Sequence, residues 1–151
     1  MDIKNISVIG AGTMGNGIAH VFAQYGYNVT LIDIQQDFLD KAIATITKNL
    51  GRLVEKETIT EEQKNSPLGN INTSVSLEDA KDSDLVIEAA SENFGIKKKI
   101  FETLDTHCKP DAILATNTSS ISITEIAAVT KRADKVIGMH FMNPVPIMKL
   151  V

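Results

Sequence analysis

The sequence predicts an α/β fold, a doubly wound and mostly parallel sheet with helices on both faces, on three observations. Short apolar runs alternate with stretches of helical period along the whole chain. The first run drives into the glycine string Gly10-Ala11-Gly12-Thr13-Met14-Gly15, and the second, Asn28-Val29-Thr30-Leu31-Ile32, ends on an acid, Asp33. Strands that alternate with long helices imply crossover connections between parallel neighbours. A chain of 151 residues is one domain's worth, long enough to bury about two thirds of the surface its unfolded form exposes.

Taken in order, Ile6 to Ile9 is the first strand and the apolar pattern from Met14 the first helix. Between them, G-x-G-x-x-G spacing has a physical reason at each glycine: the first permits the sharp turn, the second lets a pyrophosphate approach bare backbone, and the third lets helix pack on strand. The helix opens with unpaired N–H groups and a positive dipole end, an anion site. Asp33 follows Gly10 by 23 residues, close to the offset of about 20 for an acid that accepts hydrogen bonds from an adenosine ribose. This is a Rossmann-type dinucleotide signature. The competing reading, a glycine-rich turn of another α/β protein in which Asp33 only caps the next helix, fits the whole unit less well.

From Gln35 to Lys64, Phe38, Leu39, Ala42, Ile43, Ile46, Leu50 and Leu53 recur at helical spacing. A break is expected near Gly51 or Thr58-Ile59-Thr60, with Thr60 as a fresh N-cap. Ser66-Pro67-Leu68-Gly69-Asn70 reads as a turn and Ile71 to Ser74 as a short strand. Asp84 to Ala90 suits a strand buried on both faces, although Glu88 within it is unusual. Ile96, Ile100, Phe101 and Leu104 mark a helix that ends near Lys109-Pro110. Ala112 to Thr116 is another buried strand, Ile123 to Thr130 a short helical stripe, and Lys135 to Met139 a last strand. Phe141 to Val151, with two prolines, reads as an ordered loop.

Composition narrows the function. A net charge of −4, with no basic cluster longer than Lys97-Lys98-Lys99, argues against nucleic acid as the main partner. The chain enters strand residues at once and holds no 18-residue apolar run, so no membrane association and a cytoplasmic location are the default expectations. The single cysteine, Cys108, leaves no internal disulfide and no cysteine-rich metal site, and is expected to be a quiet, partly buried thiol.

Ligands of such sheets sit beyond the carboxyl ends of the strands. That rule gathers Gly10 to Gly15, Asp33, Ala90 to Asn93, Asn117 to Ser120 and His140 to Asn143 on one rim. His140 alone would as readily be a structural histidine. Delivered to the dinucleotide edge beside a Ser/Thr/Asn cluster, it suits the removal of an alcohol proton while hydride leaves the same carbon. His20 and His107 lie in helical stretches without such company.

The strings Gly10 to Gly15, Glu88-Ala89-Ala90-Ser91-Glu92-Asn93, Asn117-Thr118-Ser119-Ser120 and His140-Phe141-Met142-Asn143-Pro144-Val145-Pro146 together resemble the nucleotide-binding domain of the L-3-hydroxyacyl-CoA dehydrogenase family. The likeness spans essentially the whole chain and is strongest to short-chain bacterial members acting on 3-hydroxybutyryl-CoA. It implies NAD as cofactor, held by Gly10, Gly12, Thr13, Met14, Gly15 and Asn117, with Asp33 on the adenosine ribose and Glu92 and Lys97 on the nicotinamide-side ribose. It makes His140 the general acid/base, sets Ser119 on the reacting C3 oxygen, and gives Asn143 a part in orienting substrate or nicotinamide. Either Ser119 or Ser120 could instead only cap the following helix. Lys56, and Asn49 where the family has a serine, fall at positions that touch coenzyme A phosphates; a solvated-face role remains open for Lys56.

The resemblance also implies a glutamate directly after the Met148-Lys149-Leu150-Val151 string and a carboxyl-terminal helical domain that supplies dimer contacts and a wall of the acyl pocket. Neither falls within residues 1–151, which are therefore expected to act as an amino-terminal domain that binds NAD and turns over acetoacetyl-CoA poorly alone. Asp33 should repel a 2′-phosphate, and Ile34-Gln35-Gln36 offers no arginine to hold one, so NAD is favoured over NADP. Other β-hydroxyacid dehydrogenases share the opening glycines but generally use a lysine base from a later helix, and a non-catalytic dinucleotide-binding module would have no use for Ser119, His140 and Asn143 together.

Overall fold

The structure, a computed structural model, describes residues 1–151. Six strands, β1 (Asn5–Ile9), β2 (Asn28–Ile32), β3 (Ile71–Ser74), β4 (Leu85–Glu88), β5 (Ile113–Thr116) and β6 (Val136–Gly138), form one sheet in the order β3-β2-β1-β4-β5-β6. Every pairing is parallel, so the sheet is wholly rather than mostly parallel. Chain order reverses between β1 and β4, and ligands of such folds bind in the crevice at that point. The register sets Ile9 against Ile32 and Glu88, and Glu88 against Thr116, which aligns the strand ends along one edge.

Period-two alternation decides which face each strand residue serves. Ile6, Val8, Leu31, Leu85, Ile87 and Ala115 join one core cluster, while Ile9, Ile32, Val86 and Leu114 join the other. The first face is covered by α1 (Thr13–Gln24) through Ile18, Ala19 and Ala23, and by α2 (Gln36–Glu55) through Leu39, Ala42, Ile46 and Leu50. The second is covered by α4 (Phe94–His107) through Ile100, Phe101 and Leu104, and by α5 (Ile123–Ala128) through Ile126. Each of these leucine, isoleucine and phenylalanine side chains contributes about 1.5–3 kcal/mol by leaving water, and each alanine methyl about 0.8 kcal/mol. Both faces being covered is what makes the strand sequences continuously apolar.

Two polar staples close the amino-terminal edge of the sheet. The Asp84 carboxylate accepts the backbone N–H groups of Lys4 and Asn5, each at 2.9 Å, and pairs with Lys109; the Lys109 ammonium and those two N–H groups hold its pKa down to about 2. The Arg132 guanidinium pairs with Asp105 at 2.7 Å and donates to the carbonyls of Asp105, Cys108, Lys109 and Ala112, tying α5's exit to the end of α4. The Cys108 thiol is buried, and that burial raises its pKa to about 11, leaving it an inert thiol.

The break expected near Thr58-Ile59-Thr60 divides the region into two helices. α2 ends at Glu55, Glu57 turns the chain at a φ of 56°, and α3 (Glu61–Gly69) starts afresh from a reciprocal capping box between Thr60 and Gln63. The expected turn at Ser66 to Asn70 is instead the last part of α3. Pro67 forfeits one backbone bond near the end of that helix, where its ring is buried and Leu68 packs on the first core cluster. His20 on α1 is 1% exposed with neither ring nitrogen bonded, and burial pushes its pKa below the ordinary histidine value. Residues 141–151 form no helix or strand, but Phe141 and Val145 are buried against the first core cluster.

Candidate active site

The glycine turn is shaped by backbone contacts. Gly10 takes a φ of 102°, in the left-handed region that glycine adopts without cost. Gly15 sits so close to it that an added Cβ would lie 1.7 Å from the Gly10 carbonyl oxygen. Above Gly12 nothing stands within 4 Å, and α1 has no capping side chain there, so its first-turn N–H groups are open to an incoming acceptor. Thr13 is exposed and Met14 half-buried at the same turn.

Asp33 does not cap α2, whose N-cap is Gln35 without a side-chain bond. One carboxylate oxygen accepts from Ala11 N at 2.9 Å and the other from Gln35 N at 3.0 Å, so Asp33 ties the end of β2 to the glycine turn and is held in one orientation. A cleft of about 680 Å³ opens here, with Gly10, Gly12 and Asp33 on one side and Phe38, Leu77, Ile96 and Ile100 among its apolar walls. Unpaired N–H groups, a fixed acid and flat apolar walls are what a pyrophosphate, a ribose and an adenine require, so the residues present fit a dinucleotide.

On the other side of the switch point, β5 and β6 deliver the polar groups. His140 is exposed, and its Nδ1 lies 3.0 Å from the Asn117 carbonyl oxygen. A carbonyl can only accept, so that bond places a proton on Nδ1, and Nε2 makes no bond within the protein. Asn117 makes a second tie, its side-chain oxygen accepting from Phe141 N at 2.8 Å. Its part is thus to hold the His140 segment, with only its amide nitrogen left for a ligand. Thr118 and Ser120 both donate to Glu92, at 2.7 and 2.9 Å, whereas Ser119 between them is exposed and bonded to nothing in the protein. This separates the two candidate serines: Ser120 is committed and Ser119 is free. Asn143 is likewise exposed and unbonded.

Glu92 is exposed, and the Thr118 hydroxyl, then Ser120 and Lys97, hold its carboxyl below the usual range. Lys97 is not on the rim. Its side chain is 1% exposed and its ammonium bonds both oxygens of Glu88, at 2.7 and 2.9 Å, so it reaches the rim through Glu92, 3.7 Å away. In the sequence Glu88 stands out as unusual within its strand, and the family resemblance set Lys97 on the nicotinamide-side ribose. The signal that pairs them was present: Lys97, Ile100, Phe101 and Leu104 share one face of α4, and a charge inside an apolar strand requires a buried partner. Thr116 and Thr118 were also missed as parts of this network. Asn49, half-buried on α2, and Lys56, exposed at its C-cap, do not line the cleft.

The fold and this rim define a dinucleotide-binding α/β domain with an exposed histidine at the strand-end edge. Residues 5–151 match the family described as 3-hydroxyacyl-CoA dehydrogenase, NAD binding domain, and the chain belongs to that family. It is 53% identical over 146 residues to a 3-hydroxybutyryl-CoA dehydrogenase of Clostridioides difficile, covering 97% of this chain and 52% of that protein. A probable 3-hydroxybutyryl-CoA dehydrogenase of Bacillus subtilis is 50% identical over 151 residues, with 100% of this chain and 53% of the relative covered. Among solved structures, (S)-3-hydroxybutyryl-CoA dehydrogenase from Ralstonia eutropha superposes with a TM-score of 0.95 at 50% identity, covering 97% of this chain and 52% of that one. The chain spans about half the length of the curated relatives it matches.

Proposed function

We propose that residues 1–151 act as the NAD-binding half of a 3-hydroxyacyl-CoA dehydrogenase that interconverts (3S)-hydroxyacyl-CoA, 3-hydroxybutyryl-CoA in particular, and its 3-oxo form. The observation that carries this is His140: its Nδ1 is tied to the Asn117 carbonyl, its Nε2 is free, and it shares the strand-end edge with the unbonded Ser119. In the oxidative direction His140 Nε2 takes the C3 hydroxyl proton while Ser119 donates to the C3 oxygen. Bound NAD would accept the hydride released from C3 and return it in the reverse direction. Asp33 holds the adenosine ribose, the first turn of α1 the pyrophosphate, and Glu92 the second ribose; Asn143 orients the reacting groups. Lys56 and Asn49 are assigned to the coenzyme A phosphates on the family resemblance alone.

The wider setting follows the same reading: a cytoplasmic enzyme, dimeric through a helical domain beyond these residues, that takes an acyl-CoA and neither nucleic acid nor membrane as partner. No helix is long and apolar enough to cross a membrane. Acetoacetyl-CoA reduction by the full-length protein, followed at the nicotinamide absorbance band with NADH and with NADPH, tests the proposal. Turnover with NADH well above that with NADPH is expected. NADH binding without turnover would reassign the chain to a non-catalytic module.

A further inference from the structure

The buried Glu88 has no contact with the cleft, yet three donors make four hydrogen bonds to it. Lys97 Nζ bonds both oxygens, Thr116 Oγ1 donates at 2.7 Å and Ala90 N at 2.7 Å. Glu88 is 0% exposed and Lys97 0%, each a whole residue at the junction of β4, β5 and α4. Leu85, Val86 and Ile87 show what the strand otherwise uses, and an apolar pair would fill the same volume without desolvating two charges. What the charged pair offers, and an apolar pair cannot, is an ammonium fixed 3.7 Å beneath Glu92. The Thr116 hydroxyl bonded to Glu88 also accepts from Thr118 N at 3.3 Å. The segment is thereby held from two directions, through Thr116 to Thr118 and through Lys97 and Glu92 to the hydroxyls of Thr118 and Ser120. Ser119 is the one hydroxyl of the three left free.

We infer that Glu88 is a positioning residue: through Lys97 and Thr116 it fixes Glu92 and the Thr118-Ser119-Ser120 segment in the geometry that the nicotinamide-side ribose and the C3 oxygen require. This rests on the function proposed above for Ser119 and Glu92. With Glu88 neutral, the Lys97 ammonium keeps Glu92 as its only carboxylate partner. Glu92 then turns inward, leaves Thr118 and Ser120, and frees the loop that carries Ser119.

The test uses Glu88→Gln and the double variant Glu88→Gln/Lys97→Met in the full-length enzyme, with melting temperature, NADH affinity by nicotinamide fluorescence, and acetoacetyl-CoA kinetics measured on each. For Glu88→Gln assayed below its melting temperature, NADH binding should weaken about tenfold, the scale of a lost charge-assisted bond. Its kcat should fall about 10²-fold, as misplaced groups of this kind cost, while KM for acetoacetyl-CoA stays within about twofold. The double variant removes the orphaned charge, so it should regain melting temperature but neither kcat nor NADH affinity. A folded Glu88→Gln with wild-type kcat and NADH affinity would overturn the inference, as would a double variant that regains kcat together with stability. If Glu88→Gln does not fold, the double variant decides alone. If the wild-type protein shows no turnover, the proposed function fails and the NADH affinities of the two variants still judge the role of Glu88.

Discussion

Alanine at Gly15 and alanine at Gly12 should separate the two duties of the glycine turn, packing and ligand access. At Gly15 the new Cβ would stand 1.7 Å from the Gly10 carbonyl oxygen, where real Cβ atoms keep at least 3.0 Å. The helix and the turn must therefore part by at least 1.3 Å (3.0 − 1.7), and both colliding groups are backbone with no rotamer to yield. Overpacking of this kind costs about 1–3 kcal/mol, here toward the upper end. At about 2–4 °C per kcal/mol for a domain of this size, the melting temperature should drop by roughly 6–12 °C. At Gly12 the same methyl meets nothing within 4 Å and the φ of −72° suits alanine. Loss of the better N-cap residue and the stiffer unfolded chain roughly offset each other, so melting should move by no more than about 2 °C. NADH affinity should nevertheless fall about tenfold or more, because the methyl occupies the approach of the pyrophosphate to the backbone. Scanning calorimetry and fluorescence titration with NADH read both quantities. Equal melting of the two variants, or wild-type NADH affinity in Gly12→Ala, would refute the reasoning.

The remaining predictions concern pH and cofactor choice. Because burial lowers the His20 pKa, the unfolded chain binds a proton there that the folded chain does not, so stability is whole above the ordinary value of about 6.5 and declines as pH falls below it. The limiting slope is about 1.4 kcal/mol per pH unit. Wild-type melting should thus fall more steeply than that of His20→Leu between pH 6.5 and 5.5, by at most about 4 °C; parallel profiles would exclude this source. Asp33→Ser removes the acid beside the adenosine ribose and leaves a hydroxyl, so NADH affinity should drop about tenfold while NADPH affinity does not. An unchanged NADH to NADPH ratio in equilibrium titrations would remove Asp33 from the selectivity account.

Reading the sequence located what depends on local pattern: the turn at Gly10 to Gly15, the acid ending β2, and the histidine leaving β6. Each is a residue type demanded at a fixed place along one strand–turn–helix unit, so chain order is enough to find it. The reciprocal ties are another matter. That Asn117 holds His140 and Phe141, and that Glu92 engages Ser120 rather than Ser119, depends on how β5 and β6 lie side by side. Lys97 shows the limit most plainly. In sequence it heads a run of three lysines, but the helical period turns it inward with Ile100 and Phe101 while Lys98 and Lys99 stay exposed. The break between α2 and α3 was legible at Thr60, whereas the persistence of α3 through Pro67 reflects burial of that ring, which propensity does not register.

The central claim is that His140 is the acid/base of a hydride-transfer site whose dinucleotide half stands independently of it. The most direct measurement is acetoacetyl-CoA-dependent oxidation of NADH by the full-length enzyme carrying His140→Gln, with NADH affinity determined on the same preparation. In this direction the histidine gives a proton to the C3 oxygen, and losing that donor should lower kcat by about 10²–10⁴-fold while NADH affinity stays within about twofold, since the histidine shares no bond with the glycine turn or Asp33. Turnover by His140→Gln at close to the wild-type rate would contradict the account.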